Sequence, residues 1–322
     1  MNPANRPLAS GIALALLLAP FATRAADAPP PEEEVISADA EAAKPIERSF
    51  SFAADGSIEI NNVRGSVTVT ASNDNRIALG GSLGAGSRLI IEGSARHIEL
   101  NVEAQHPGGL LGKHGPPSDT NLVLSVPHAA ALKLELVSAD SKVTGLDGKS
   151  LEIESVSGSV NASAASRSVE IDNVSGGVKF EASRAGAIER AHVQTVSGDI
   201  AVGGVEGRVK LETVSGRIGY VAPSVSEFNA ESVSGTIDAS VAPAKGARLR
   251  VETMSGTVKL HLPAALSARV SASTFSGGLK SDFGSVKKAE YGPGASLDAR
   301  VGEGDARVET ESFSGDVQIL KQ

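Results

Sequence analysis

The chain has 322 residues with 35 Gly, 15 Pro, no Cys and no Trp, and aromatic residues make up only 3% of it. The absence of Cys excludes a disulfide scaffold, thiol catalysis and Cys-ligated zinc. The net charge of −8 argues against general nucleic-acid binding, and the two Tyr argue against a cleft of sugar-stacking rings.

The first 25 residues have the pattern of a secretory signal peptide. Arg6 precedes an apolar stretch from Leu8 to Ala22, and Ala25 is a small residue with another two places before it. The stretch is short for a transmembrane helix, although an uncleaved anchor is the alternative. We therefore predict an exported protein, periplasmic or secreted to the cell surface, with no transmembrane segment in the mature chain.

Residues 26–48 are rich in Pro and Glu and contain few large apolar residues. Such a composition cannot bury enough surface to order itself, so it predicts a disordered linker. Residues 49–322 are then the repeat domain, with an irregular N-terminal part over 49–130 and regular units over 131–322.

A hexapeptide with a central Ser-Gly pair recurs along the second half of the chain. Its eight copies are SVSGSV (155–160), NVSGGV (173–178), TVSGDI (195–200), TVSGRI (213–218), SVSGTI (232–237), TMSGTV (253–258), TFSGGL (274–279) and SFSGDV (312–317). A ninth copy, NVRGSV, occupies 62–67, and LELVSADSKV (134–143) is a degraded unit. From Gly158 to Gly277 the motif glycines are 18 to 22 residues apart.

Each unit extends beyond its motif. With the motif glycine as position zero, positions −7, −5, −2, +2 and +4 are usually apolar, and position −3 is always Ser, Thr or Asn. The alternation predicts strands, and the change of parity between −5 and −2 indicates a turn at −3.

Two arrangements follow from this pattern. If Ser-Gly is a hairpin turn, position −2 points outward and position −3 points into the core. If each unit is one coil of a solenoid, the turn at −3 places position −2 inside with the other apolar positions. We favour the solenoid because it buries every apolar position.

The predicted fold class is therefore all-β: a β-solenoid, or parallel β-helix, with coils of about 18–22 residues. Right-handed winding is expected because the six-residue apolar period of left-handed hexapeptide solenoids is not sustained. Coils stacked about 4.8 Å apart bring equal positions together. We expect hydrogen-bonded ladders of the polar side chains at −3, and glycine to permit the turn.

These SGxV repeats resemble the bacterial β-strand-repeat family known as "putative adhesins", a family of unknown function. The segments Leu122–Val160 and Leu297–Ile319 are similar to that family's usual lead into the repeats and its usual close. The resemblance extends over about Ser49 to Gln322. It implies an all-β, envelope-associated domain and brings no catalytic residues.

Two groups of residues are candidates for catalysis or metal binding. Residues 80–84 match the G-x-S-x-G string of a nucleophile elbow, but a strand rather than the required helix is expected after them. His106, His114 and His128 lie near Asp119 and could bind zinc, yet their spacing matches no known site. We predict no catalytic residue, no cofactor and no metal.

Position −4 carries an acid in six of the nine copies, which predicts a stripe along one edge of the stack. Its members are Glu154, Asp172, Glu212, Glu231, Glu252 and Glu311. The stripe is interpreted either as a solvated face that keeps the solenoid soluble, or as a docking surface for a basic protein or peptide.

The predicted function is that of a non-catalytic exported envelope protein, an adhesin-like or scaffold module that presents a long solenoid surface. One alternative is a carbohydrate-active β-helix enzyme, for which the short coils leave little loop to build a cleft. The other is a self-assembling structural protein, because a last coil ending at Ile319 would leave an unpaired strand edge. Phe275, Phe283, Tyr291 and Phe313 are expected to close the C-terminal end of the core.

Overall fold

The structure is a computed structural model that describes residues 28–104 and 118–322. Every regular element in these residues is a β-strand, and no helix among them is long and apolar enough to cross a membrane. The strands are β1 (Glu33–Ser37), β2 (Lys44–Ser51), β3 (Ser57–Ser72), β4 (Arg76–Leu83), β5 (Ser87–Ser94), β6 (His97–Ala104), β7 (Thr120–Pro127), β8 (Ala131–Thr144), β9 (Ser150–Ser157), β10 (Val160–Ala164), β11 (Ser168–Ser175), β12 (Val178–Ala182), β13 (Arg190–Ser197), β14 (Ile200–Gly203), β15 (Arg208–Leu262), β16 (Ala268–Ser276), β17 (Leu279–Ser281), β18 (Lys287–Lys288), β19 (Ala295–Val301), β20 (Ala306–Ser314) and β21 (Val317–Lys321). Strand β15 runs through three repeat units without a break.

Successive units stack as parallel strands with equal motif positions side by side. The strands before the motif glycines, β9, β11, β13 and the start of β15, form a first sheet in which Ile153, Ile171 and Val193 are neighbours. The strands after the glycines form a second sheet, in which Val160 pairs with Val178. The prediction of an all-β, solenoid-like stack is confirmed, and its handedness stays a prediction.

The core is a narrow stack of side chains between these two sheets. Aliphatic residues such as Leu151 and Ile153 are buried in every coil. Tyr220 and Phe228 stack with ring centroids 4.5 Å apart, and the Tyr220 hydroxyl donates to the Val205 carbonyl at 2.5 Å. Full burial of one aliphatic side chain contributes about 1.5–3 kcal/mol. Each coil is therefore stabilised chiefly by its neighbours in the stack.

The motif glycines form a column where adjacent backbones come closest. A Cβ added to Gly176 would lie 2.2 Å from the carbonyl oxygen of Gly158, and one added to Gly198 would lie 2.0 Å from that of Gly176. Gly176 also has a φ of 126°, in the region that favours glycine. A side chain at this position would push two coils apart, which is why glycine recurs here.

The prediction that the chain turns at position −3 and buries position −2 is wrong. Strand β9 alternates without interruption, so Leu151, Ile153 and Ser155 are buried while Glu154 and Val156 are exposed. After β9 the direction changes at the Ser-Gly pair instead, where Gly158 has a φ of 139°. The molecule is therefore a parallel stack, as the solenoid arrangement predicted. Its side chains nevertheless point as the hairpin arrangement predicted, with position −3 inside and position −2 outside.

Antiparallel strands cover the N-terminal end of the stack. Strand β3 lies between β8 on one side and β6 and β7 on the other, and β5, β4, β1 and β2 extend these strands outward. The predicted disordered linker is therefore wrong in its described part, residues 28–48. Ile36 and Ile46 are buried there, and these two side chains anchor a segment that the average composition marks as disordered.

At the C-terminal end the order of the coils departs from the order of the chain. Strand β20 lies between β15 and β16, and β21 lies between β15 and β17. Strand β19 then pairs antiparallel with the far side of β16. The unpaired edge predicted at the terminal coil is therefore wrong, because the last coil is inserted into the stack.

The four C-terminal aromatic residues do not close the core as a group. Phe275 and Phe313 stack on the outer surface with ring centroids 4.9 Å apart. Tyr291 is 87% exposed, whereas Phe283 is buried. Phe275 and Phe313 occupy position −2, so the outward parity of that position explains where they lie.

Candidate interaction groove

A groove with a volume of about 1360 Å³ runs along the outer side of the first sheet. One of the columns that line it consists of the apolar side chains at position −2, which are 39% to 64% exposed. We call it the valine column: Val63, Val137, Val156, Val174, Val196, Val214, Val233, Met254, Phe313 and Phe275. A contiguous row of this length differs from the single exposed apolar residues that are normal on soluble proteins.

Beside the valine column lies the acidic column, formed by the carboxylates at position −4. Its members are Glu135, Glu154, Asp172, Glu212, Glu231, Glu252 and Glu311. Strand pairing sets Asp172 next to Glu154, and Glu311 next to Glu252. The structure thus brings all six predicted acids to one groove and adds Glu135 to them.

Neighbouring cations neutralise part of the acidic column. Lys133 Nζ lies 2.6 Å from Glu135 Oε1 and 3.7 Å from Glu154 Oε1, and Arg250 pairs with Glu252. The hydrogen bond to Glu135 is the main reason why the pKa of Lys133 lies above its usual range. These pairs hold several carboxylates in fixed positions along the sheet.

Glu212 has two nitrogen atoms within hydrogen-bond distance. Its Oε2 atom lies 2.8 Å from Lys210 Nζ and 2.8 Å from His192 Nε2. Partial burial opposes ionisation of Glu212, but the hydrogen bonds from Lys210 and His192 outweigh it and hold the pKa of Glu212 below its usual value. The bond to Glu212 also raises the pKa of Lys210. The carboxylate is therefore ionised throughout the neutral range.

The groove is net acidic in spite of these pairs. At positions −6 and −4, the units between Lys133 and Glu311 carry ten carboxylates and three Lys or Arg residues. Asp172 Oδ1 is buried with no hydrogen-bond partner among the described residues. A cationic group placed in the groove would thus meet carboxylates whose charge is not already compensated.

Small polar side chains at position −3 lie beneath these two columns and are buried. They are Asn62, Ser155, Asn173, Thr195, Thr213, Ser232, Thr253, Ser312 and Thr274. Asn173 Nδ2 donates to the carbonyls of Gly158 and Gly176 at 3.4 and 3.0 Å, and the Thr274 hydroxyl donates to the Gly277 carbonyl at 3.2 Å. Asn62 Nδ2 likewise donates to a backbone carbonyl, that of Thr120. The expected side-chain ladders are not formed, because five buried hydroxyls have no hydrogen-bond partner among the described residues: those of Ser155, Thr195, Thr213, Ser232 and Thr253.

The described candidate metal ligands, His128 and Asp119, are not part of a metal-binding group. His106 and His114 fall outside the described residues, and His128 Nδ1 lies 2.6 Å from Asp147 Oδ1. The bond to His128 holds the pKa of Asp147 below its usual value. Asp119 lies 3.5 Å from an arginine. Within 28–104 and 118–322, no group of three or more His, Asp or Glu side chains is arranged to hold a metal.

The G-x-S-x-G string lies in a strand, not in a nucleophile elbow. Residues 80–84 belong largely to β4, which pairs antiparallel with both β2 and β7. The next element is another strand, β5. The strand-turn-helix geometry that exposes a nucleophilic serine is therefore not formed at Ser82.

Sequence reasoning missed two features of the groove. It predicted that the valine column lies inside the core. Placing Ser155 and its equivalents at position −3 inside would have turned position −2 outward, as the structure has it. It also left out Glu135 and Val137, because their unit has Ala139 in place of the motif glycine. The pairing of Glu135 with Glu154 shows that this degraded unit stacks like the others.

The parallel stack, its glycine column and its outward groove define a β-repeat protein of the solenoid type. The chain belongs to the Toastrack DUF4097 family, whose model matches residues 117–206 and 187–320. No curated protein is similar to it in sequence.

Three crystal structures are similar to the chain in shape. A "putative adhesin" from Bacteroides fragilis is 13% identical with a TM-score of 0.43, and the match covers 86% of this chain and 97% of that one. A "putative cell adhesion protein" from Clostridium sporogenes is 10% identical with a TM-score of 0.23, covering 91% and 100%. A "putative lipid binding protein" from Parabacteroides distasonis is 13% identical with a TM-score of 0.42, covering 86% and 96%.

Proposed function

We propose that this chain is a non-catalytic interaction module of the cell envelope, which binds an amphipathic, cationic segment of a partner protein along the groove. One observation carries the proposal: an exposed apolar column runs through ten units, and seven of these units carry a carboxylate beside it in the acidic column. The signal-like N-terminal segment supports export of the chain to the envelope.

The valine column supplies the driving force for binding. Its side chains are about half exposed in the free protein, so a partner that covers them removes apolar surface from water. Covering this surface contributes roughly 25 cal/mol per Å² before the cost of association is subtracted. The column has no role in the core, because the opposite face of the same strands is already packed.

The acidic column supplies orientation and selectivity. Basic side chains on one flank of the partner would face Asp172 and the other carboxylates, while apolar side chains lie on the valine column. Complementary charge of this kind speeds association and rejects acidic partners more than it adds affinity. The pair of columns therefore fits a segment with one apolar edge and one basic edge.

The spacing of the columns favours a partner helix over a partner strand. Units repeat about every 4.8 Å along the stack, close to the 5.4 Å pitch of an α-helix. Residues on one face of a partner strand recur about every 6.7 Å, so they fall out of register with the units of the stack after one unit. An amphipathic helix can place one apolar residue on each of three or four successive units.

A synthetic helical peptide tests this proposal. Its apolar face carries Leu at helical spacing and one flank carries Lys, and the matched control peptide carries Glu in place of each Lys. We expect calorimetry to show binding of the Lys peptide to the full chain and at least about tenfold weaker binding of the Glu peptide. Equal affinity for the two peptides, or binding to neither, would contradict the proposal.

A pair of valine substitutions locates the binding surface. Val174→Thr with Val196→Thr makes two units of the valine column polar, and we expect about tenfold weaker peptide binding. The control is Val123→Thr with Val221→Thr, which changes exposed valines outside the groove. The control should bind like the unchanged chain. Equal losses in both variants would show that the groove is not the site.

Neutralising the acids tests the charged half of the site. The six predicted acids are changed together to Gln, or to Asn at Asp172, and binding of the Lys peptide is measured at low and high salt. We expect weaker binding and loss of its salt dependence. Unchanged binding at both salt concentrations would leave the acidic column as no more than a solvated face.

A further inference from the structure

The valine column ends in its three largest side chains. In the order of the stack, seven valines are followed by Met254, Phe313 and Phe275. These last three side chains are 60% to 64% exposed, whereas the seven valines are 39% to 51% exposed. The column is therefore bulkiest and most exposed at its C-terminal end. We call Phe275 and Phe313 the ring pair.

The ring pair presents an open aromatic face. The two rings are stacked with centroids 4.9 Å apart and an angle of 5° between their planes. On the far side of Phe275 the neighbouring chain position is Gly294, where an added Cβ would lie 3.4 Å from the Phe275 carbonyl oxygen. Because glycine has no side chain, that position does not cover the Phe275 ring. The ring face turned away from Phe313 is thus accessible, in agreement with the 64% exposure of Phe275.

A carboxylate lies on the same outer face as the ring pair. Glu311 stands two residues before Phe313 on β20, and both side chains point outward. Strand pairing places Ser273 of β16 directly beside Glu311, and Ser273 stands two residues before Phe275. Since the serine side chain is small, a group lying against Phe275 can reach the Glu311 carboxylate past it.

Glu311 keeps an uncompensated charge. Arg307 on the same strand lies with its Nε 3.8 Å from Glu309 Oε1, and Arg250 on the neighbouring strand pairs with Glu252. Among the described residues, none forms an ion pair with Glu311. The end of the groove therefore combines an open aromatic face with a carboxylate that has no counter-ion.

The fold does not require the ring pair. The same motif position is valine in seven units, and the two rings lie outside the core. Two large rings exposed side by side on the surface are a feature of interaction sites. Aromatic residues also carry a disproportionate share of the binding energy at protein interfaces.

We propose that the ring pair and Glu311 form an anchor site for one arginine side chain of the partner segment. The planar guanidinium group stacks on aromatic faces and donates two parallel hydrogen bonds to a carboxylate. A lysine ammonium group would be attracted by Glu311 but cannot lie flat against a ring, and an aromatic side chain would leave Glu311 without a counter-ion. This inference rests on the proposed function, because it specifies how the same partner segment is anchored in the groove.

Peptides that differ only near their ends test the proposal. In the helical Lys peptide described above, the Lys nearest each end of the basic flank is replaced by Arg in a second peptide and by Phe in a third. We expect calorimetry to show that the full chain binds the Arg peptide at least about threefold more tightly than the Lys peptide. The Phe peptide should bind more weakly than the Arg peptide, since its end residues offer Glu311 no positive charge.

Two variants locate the preference for arginine. Phe275→Leu with Phe313→Leu keeps the site apolar but removes the rings, and Glu311→Gln removes the carboxylate. We expect each variant to lose most of the preference for the Arg peptide. Glu154→Gln, towards the opposite end of the acidic column, is the matched control and should keep the preference. Circular dichroism and thermal unfolding establish that all of these variants are folded.

The outcomes separate this inference from the proposed function. Equal affinity for the Arg and Lys peptides, tighter binding of the Phe peptide, or a preference for Arg that persists without the rings or without Glu311 would overturn the arginine anchor. The proposed function would stand in each of these cases, because the peptides still bind. Binding of none of the peptides would instead contradict the proposed function, and the anchor with it.

Discussion

At the scale of single residues, the motif glycine allows neighbouring coils to approach closely in each unit that carries it. A Cβ at each motif glycine would meet a backbone carbonyl oxygen one coil away at about 2 Å. Five of these glycines also have a positive φ where the chain passes from the first sheet into the second: Gly65, Gly158, Gly176, Gly216 and Gly277. Ser and Thr at position −3 are small enough to be buried beside the motif glycine. These two requirements explain why a Ser-Gly motif with a polar residue two places before it can repeat in an all-β core.

Gly176 and Gly177 offer a matched test of this role. We expect Gly176→Ala to lower the free energy of unfolding by more than about 2 kcal/mol, because its Cβ would meet the Gly158 carbonyl at 2.2 Å in a positive-φ conformation. A Cβ at Gly177 would have its nearest contact at 3.8 Å, so Gly177→Ala should change stability by less than about 1 kcal/mol. Urea unfolding of both variants provides the comparison, and similar values would refute the close approach of the coils.

Glu212 gives a pH-dependent test. Because its pKa is held below the ordinary value in the folded chain, its stabilisation is present above the unfolded pKa and disappears as pH falls through the folded pKa. We expect Glu212→Gln to cost about 0.5–1 kcal/mol at pH 7. The difference should vanish in strongly acidic solution when both chains are compared by denaturant unfolding. A difference that stayed constant down to pH 2 would mean that the ion pair is not its source.

At the scale of elements, the repeat predicts the stacked strands but not their order. Equal spacing of the motifs brings equal positions into register, so the parallel pairing of β9, β11 and β13 could be predicted. The insertion of β20 between β15 and β16 could not be predicted, because the motif of β20 is equally compatible with either of these strands as a neighbour. Strand β1 was missed because a few buried side chains outweigh an acidic, Pro-rich composition.

The inserted last coil can be tested by a pair of adjacent substitutions. We expect Ile319→Ala to cost about 2–5 kcal/mol, since the side chain is fully buried in β21 although it lies three residues from the chain end. Leu320→Ala is the control, because that side chain points outward and should cost less than about 1 kcal/mol. Amide exchange in β21 should be as slow as in β12. Fast exchange there would show a frayed terminal coil.

At the scale of the whole molecule, one periodic sequence produces a core on one face of each strand and a groove on the other. The acidic column could be predicted, because position −4 faces outward in both the hairpin and the solenoid arrangement of the unit. The valine column could not be placed on the surface by hydrophobicity alone, since the apolar residues at position −2 of the nine motif copies were expected to be inside. The exposed apolar row is the feature that supports the proposed interaction surface, since a merely solvated side of the stack would lack it.

The outward position of the valine column is the central claim, and thiol labelling tests it directly because the chain contains no Cys. Single cysteines are introduced by Ile171→Cys, Asn173→Cys, Val174→Cys and Ser175→Cys, and their rates of reaction with a maleimide are measured in the folded protein. The structure predicts rapid labelling at positions 174 and 175 and slow labelling at 171 and 173. Rapid labelling at position 173 with slow labelling at 174 would contradict it, since that result would return the apolar column to the core and remove the groove.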